Sequence, residues 1–119
     1  MNEMNHSGLN IKDAMARLMG NKNLYLKLLD CFQKDYAQFD TQLVQLLEAG
    51  NYEEASIKVH SMKGMSGNLG AESLYEISRE LEVLCKSKTA LAELQPHLTA
   101  FSAEFQRLLR QIRDGVDLG

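Results

Sequence analysis

Residues Lys58–Ala71 read KVHSMKGMSGNLGA, a histidine and a lysine followed by glycines at 64, 67 and 70, in a stretch whose apolar spacing is helical. Glycine inside a helix costs roughly 1 kcal/mol relative to alanine, because its flexible backbone loses more entropy on folding. Gly64 and Gly67 therefore need a compensating reason, whereas Gly70 supplies the turn that ends the helix. On a wheel of about 100° per residue, Ala55, Val59, Met62, Ser66 and Leu69 fall on one side, which is expected to face a core. His60 lies opposite. Around it sit Ser56, Lys63, Gly64 and Gly67, with Ile57 and Asn68 at the margin. Packing gives no reason to gather histidine, lysine and glycine on the face that does not pack, so the grouping marks a candidate site.

The rest of the chain reads as helix on both sides of this stretch. Proline occurs once, β-branched residues are scarce, and Leu, Glu, Gln, Lys and Ala dominate, which is the composition of helices. A frayed tail is expected over residues 1–8 and a short helix from about Ile11 to Met19. A second helix, from about Leu24 to Ala49, carries Tyr25, Leu28, Phe32, Tyr36, Phe39, Leu43, Leu46 and Leu47 as one continuous apolar stripe closed by Gly50. The helix bearing His60 begins near Tyr52 and reaches Asn68 or Leu69. Leu74, Ile77, Leu81 and Leu84 mark a further helix from Ala71 to about Lys86. Leu91, Leu94, Leu98, Phe101, Phe105, Leu108 and Ile112 mark the last, bent or restarted at Pro96. Short connections make neighbours antiparallel, so the expected fold is all-α: an up-down four-helix bundle with a short additional N-terminal helix, in one domain over residues 1–119.

Composition removes several classes of function. The formal charge is −3 and basic residues are interspersed with acids, so there is no basic stripe for nucleic acid. Cys31 and Cys85 are too few and too far apart for a disulfide framework or a zinc site; each falls in an apolar helical pattern, where cysteine packs as a small hydrophobe. A reducing, cytoplasmic setting follows. No apolar run approaches the roughly 20 residues of a membrane span, and the start, MNEMNHSGLN, is too polar for a secretory signal.

The chemistry open to His60 is limited by what surrounds it. Imidazole can ligate a metal, act as a base or serve as a nucleophile. A metal needs several ligands and this face offers one; the sole Glu-x-x-His match, Glu3 to His6, lies in the tail. His97 follows Pro96 without partners, and both it and His6 read as incidental. A hydrolytic triad needs an orienting acid, and no carboxylate on its own helix is spaced to orient His60. What remains is a nucleophilic histidine with Lys63 one turn away, a pair suited to an anionic group and above all to phosphoryl transfer. The chain has no P-loop, no nucleotide-binding glycine loop and no acidic magnesium cluster, so the metal and the rest of the active site must come from a partner.

These residues also carry a resemblance. VHSMKG, Val59 to Gly64, resembles the H-x-x-K-G signature of histidine phosphotransfer (HPt) domains, and RLMGNKNLYLKLLDCF, AGNYEEASIKVHSMKG, NLGAESL and ELE occur in the order and spacing of that family, from roughly Leu18 to Glu82. The resemblance implies that His60 is the phospho-acceptor, that Lys63 is the phosphate-stabilising cation, and that Gly64 is the small residue admitting a partner. Asn68 occupies a position where the family often has a polar side chain near the phosphate. With them Ser56, Ile57, Ser61 and Gly67 form the expected partner-binding surface.

The implied partners are response-regulator receiver domains, whose aspartate exchanges the phosphoryl group with histidine using the receiver's own Mg²⁺; the chain itself needs no cofactor. A hybrid sensor histidine kinase, in cis or in trans, is the expected upstream partner, with no nucleic acid or membrane contact and a monomeric domain. Two alternatives from the same signalling chemistry stand beside this phosphorelay role. One is the phospho-accepting first domain of a chemotaxis-type kinase, and the other is a receiver-binding helical module without phosphotransfer, against which His60 itself argues. The dimerising helix pair of a histidine kinase fits less well, because Ser61 stands where that family usually has an acid directly after the histidine.

Overall fold

The computed structural model describes residues 9–116 and 118, and within them every regular element is a helix. In chain order these are α1 (Ile11–Arg17), α2 (Lys22–Asp35), α3 (Phe39–Glu48), α4 (Tyr52–Leu69), α5 (Glu72–Lys86) and α6 (Leu91–Asp114). The expected tail over residues 1–8, with His6 and the Glu3–His6 pair, lies outside the described residues.

Helix starts follow from local chemistry. Asn10 and Asn21 cap α1 and α2 by accepting the backbone N–H groups of Asp13 and Leu24, each at 3.0 Å, which satisfies donors that have no partner inside the helix. Glu53 and Glu54 lie in the first turn of α4, where negative charge complements the helix dipole. Asn10 also ties the first helix to the site-bearing pair: its N–H donates to the Gly70 carbonyl at 2.7 Å and its side-chain amide to Glu72 Oε2 at 2.9 Å. Gly70 is required there twice over. Its φ is +78°, and a Cβ would come within 2.4 Å of the Asn10 carbonyl oxygen.

The second helix is not continuous as the stripe suggests. It ends at Asp35 and restarts at Phe39, so α2 and α3 are separate helices. The stripe itself is right, with Tyr25, Phe32, Phe39, Leu43 and Leu47 buried. What breaks the helix is an aromatic pile: Phe32 stacks on Tyr36, Tyr36 on Phe39, and Phe39 packs against Phe101 and Phe105 of α6. The three-residue step at the break turns Phe39 into the core and aims α3 at α6. The last helix does not restart at Pro96, since α6 runs through it as one element. Proline in the second turn removes only one helical hydrogen bond, and Leu94 and Leu98, both buried, hold the two sides of it in place.

Packing runs in a ring: α4 lies against α5, α5 against α6, α6 against α3 and α3 against α4, while α2 contacts both α4 and α6. Tyr25 anchors α2 to the end of α4, donating its buried hydroxyl to the Leu69 carbonyl at 2.7 Å. Burial pushes that phenol up to about 12. Of the two cysteines, Cys85 is buried as expected; Cys31 is only partly covered and donates its thiol to Asp35 Oδ2 at 3.0 Å, being on the flank of the stripe and not in it.

Candidate functional site

The two faces of α4 divide as the wheel predicts. Ala55, Val59, Met62, Ser66 and Leu69 are fully buried. His60, with 66% of its side chain exposed, stands on the outside with Ile57, Ser61, Gly64 and Asn68, which are also exposed. A Cβ built on Gly64 would meet nothing within 4 Å, so close packing against another helix does not account for that glycine. Gly67 is half-buried beside the Tyr75 ring, at a distance an alanine Cβ would fill with ordinary contact. Ser56 is almost covered, because α5 packs over its side of α4, and its hydroxyl donates to the Glu53 carbonyl at 2.9 Å. It therefore borders a shallow cavity of about 280 Å³, with Ile57, His60, Glu82 and Lys86, and does not stand on the open surface. His97 lies on α6, half-buried and outside this cluster.

The residue that organises the site comes from α5. Glu82 is only 5% exposed. Its Oε2 receives His60 Nδ1 at 2.8 Å and Lys86 Nζ at 3.2 Å, and its Oε1 receives Lys63 Nζ at 2.8 Å. Burial alone would raise the Glu82 carboxyl, but the hydrogen bonds from Lys63, His60 and Lys86 outweigh burial and bring it down to about 2. The bond to Glu82 in turn raises Lys63 above the usual lysine value, against the opposing effect of desolvation. Both groups are thus held charged.

One consequence concerns the imidazole directly. A carboxylate can only accept, so the nitrogen facing it must carry the hydrogen: Nδ1–H donates to Glu82. In the neutral ring the lone pair then sits on Nε2, the nitrogen away from Glu82. The arrangement presents an oriented nucleophile on a surface, with a fixed ammonium one turn along the same helix.

Glu82 is the candidate site residue that the reading of the histidine's own helix misses, since the carboxylate that orients His60 comes from the neighbouring one. A signal for it exists in the sequence. Leu74, Ser78, Leu81 and Cys85 define the buried side of α5, and Glu82 falls among them, a charge where none can be left without partners.

With this geometry in place, comparison with known families matches the chain to the Hpt domain: the family model covers residues 27–115, which include α3, α4, α5, most of α2 and α6 through Asp114. The chain belongs to the Hpt domain family. Searches of the curated proteins and of the solved structures return no significant match. No helix among the described residues is long and apolar enough to cross a membrane.

Proposed function

We propose that the chain is the phosphoryl carrier of a multistep phosphorelay, taking a phosphoryl group onto His60 Nε2 from a receiver-domain aspartate and passing it to a second receiver. The observation that carries this reading is the His60–Glu82 bond at 2.8 Å, which leaves Nε2 as the nucleophile of an exposed ring. In the forward step the Nε2 lone pair forms the N–P bond as the P–O bond of the aspartyl phosphate breaks, its electron pair returning to the aspartate carboxylate. The proton on Nδ1 stays where Glu82 holds it, so the positive ring that results faces a carboxylate. The second transfer reverses these bonds, and the imidazole leaves as a neutral group.

Lys63 supports the incoming phosphoryl oxygens, and Gly64 leaves room for the receiver's pocket. Ile57, Ser61, Asn68 and the edge formed by Ser56 and Gly67 are the contact surface for the receiver. The Mg²⁺ that this chemistry uses belongs to the receiver, and the chain is a substrate and carrier in place of an autonomous enzyme. The setting is cytoplasmic and the unit a monomeric, up-down four-helix domain, free-standing or attached to a hybrid sensor kinase.

The test is incubation of the purified chain with a panel of phosphorylated receivers, scoring acid-labile label. The parent becomes labelled and His60→Gln, which keeps size and polarity but lacks the ring nitrogen, does not. Label persisting on a folded His60→Gln would place the acceptor elsewhere and end this reading.

A further inference from the structure

We propose that the cleft between α1, the end of α4 and the start of α5 binds a short aliphatic diamine. Nothing in this depends on His60 being the acceptor. The cleft has a volume of about 480 Å³. It lies farther along α4, since Gly67 on its wall follows His60 by seven residues, or roughly 10 Å of helix. Ser66 lines it and is fully buried, yet the Ser66 hydroxyl has no hydrogen-bond partner among the described residues. A serine inside a helix commonly bonds back to the carbonyl of the preceding turn, and a buried polar atom that bonds to nothing calls for a group to meet it.

The balance of charge says what that group is. Asp13, Glu72 and Glu76 line the cleft against one cation, Arg17, and Arg17 is already engaged by Asp13 at 3.1 Å. Glu72 meets a neutral donor, the Asn10 amide at 2.9 Å, and pairs with no ammonium or guanidinium among the described residues. Glu76 is held at 2.9 Å by Arg79 of its own helix, an exposed pair that exchanges readily for another cation. Among the described residues no group of acidic, histidine or cysteine side chains is placed to hold a metal ion, so the cation is organic. An ammonium has three donors and no acceptor, which suits a carboxylate oxygen and an unpartnered hydroxyl. Glu72 and Glu76 stand one turn apart on α5, their Cβ atoms about 5–6 Å from each other, a separation that the two ends of a four-carbon diamine span. The Tyr75 ring lines the same cleft beside Gly67 and gives the methylenes an apolar wall.

Titration of the isotopically labelled full chain with putrescine, followed by backbone amide shifts in NMR spectra, tests the proposal. The shifts should saturate and concentrate at Ser66, Gly67, Glu72, Tyr75 and Glu76. Ser66→Ala removes only an unpartnered hydroxyl and so keeps the fold; it should weaken binding about tenfold, and Glu72→Gln by at least as much, each through loss of a hydrogen bond to a charged group. n-Butylamine, with one ammonium, should bind about tenfold more weakly than putrescine, and butyrate should not bind. Failure to see saturable shifts at the cleft would overturn the proposal, as would shifts spread evenly over the exposed carboxylates, the pattern of a loose counterion. Parental affinity in either variant, or equal affinity for n-butylamine, would overturn it as well.

Discussion

Asp40 and Glu82 each join neighbouring helices in this molecule, and their partners differ in kind. Asp40, at the start of α3, accepts from Ser102 Oγ at 2.9 Å and Gln106 Nε2 at 3.1 Å, both on α6, and from the backbone N–H of Thr41. Glu82, on α5, takes an imidazole and two ammonium groups. Neutral donors from a facing helix make a clasp that needs nothing from outside. Cationic and imidazole donors gathered on a buried carboxylate make a cluster with charge to spare around an exposed histidine ring. Under the proposed carrier role the same side-chain chemistry serves attachment at one edge of the bundle and reactivity at the other, and the donor type tells them apart.

The strongest way to break this comparison is to remove Glu82's charge. In Glu82→Ala the imidazole loses the acceptor that fixes its tautomer, and Lys63 and Lys86 lose the group that holds them at the site. Phosphoryl acceptance from a receiver should fall about ten- to a hundredfold, while the freed lysines reach water and limit the stability loss to about 1–2 kcal/mol. A parental transfer rate in a folded Glu82→Ala would reduce the cluster to a second clasp.

Acid titration sharpens the same point. The folded carboxyl, at about 2, lies below its ordinary 4.5, so the unfolded chain takes up the proton first. The stabilisation is complete above about 4.5 and is lost as pH falls toward 2. Between those values the melting temperature of the parent should decline more steeply than that of Glu82→Gln, which has no carboxyl to titrate. Parallel declines would show that Glu82 does not carry the linkage.

The complementary change at the other edge is Asp40→Ala. It removes two part-exposed side-chain hydrogen bonds between α3 and α6 and one local bond to Thr41. It should cost about 1 kcal/mol in a denaturant melt and leave the transfer rate unchanged. A slowed transfer would mean that the two edges are coupled through the core.

The sequence reveals one side of the Glu82 cluster and hides the other, for a physical reason. Periodicity along α4 separates Val59 and Met62 from His60 and Lys63, because a helix wheel is a local property. The partner of His60 is 22 residues away on α5, and only the packing of the two helices brings it near. The break between α2 and α3 is hidden in the same way. Steps of three and four run straight through Tyr36 and Phe39, with no glycine or proline to interrupt them, and the interruption comes from Phe39 packing against Phe101 and Phe105 of α6. Where an element obeys its own residues, as α4 does from Tyr52 to Leu69, its bounds are legible. Where it obeys a neighbour, they are not.

The smallest expected effect belongs to Gly64, and it sets access against packing at the site itself. Because a Cβ there would meet nothing within 4 Å, Gly64→Ala gains helix propensity without a clash and should be neutral or more stable by up to about 1 kcal/mol. If the glycine instead answered to packing, the same change would lower stability by roughly 1–3 kcal/mol. A larger side chain separates stability from function. Gly64→Gln should stay folded yet accept phosphate slowly from a receiver, because in-line transfer tolerates little displacement of acceptor from donor. Labelling by phosphoramidate, which brings no protein surface to the histidine, should change far less. Thermal melts of both variants, with the two labelling rates for Gly64→Gln, decide it. A destabilised Gly64→Ala, or a Gly64→Gln that accepts from receivers at the parental rate, would show that the open face of α4 is bare for some reason other than the approach of a partner.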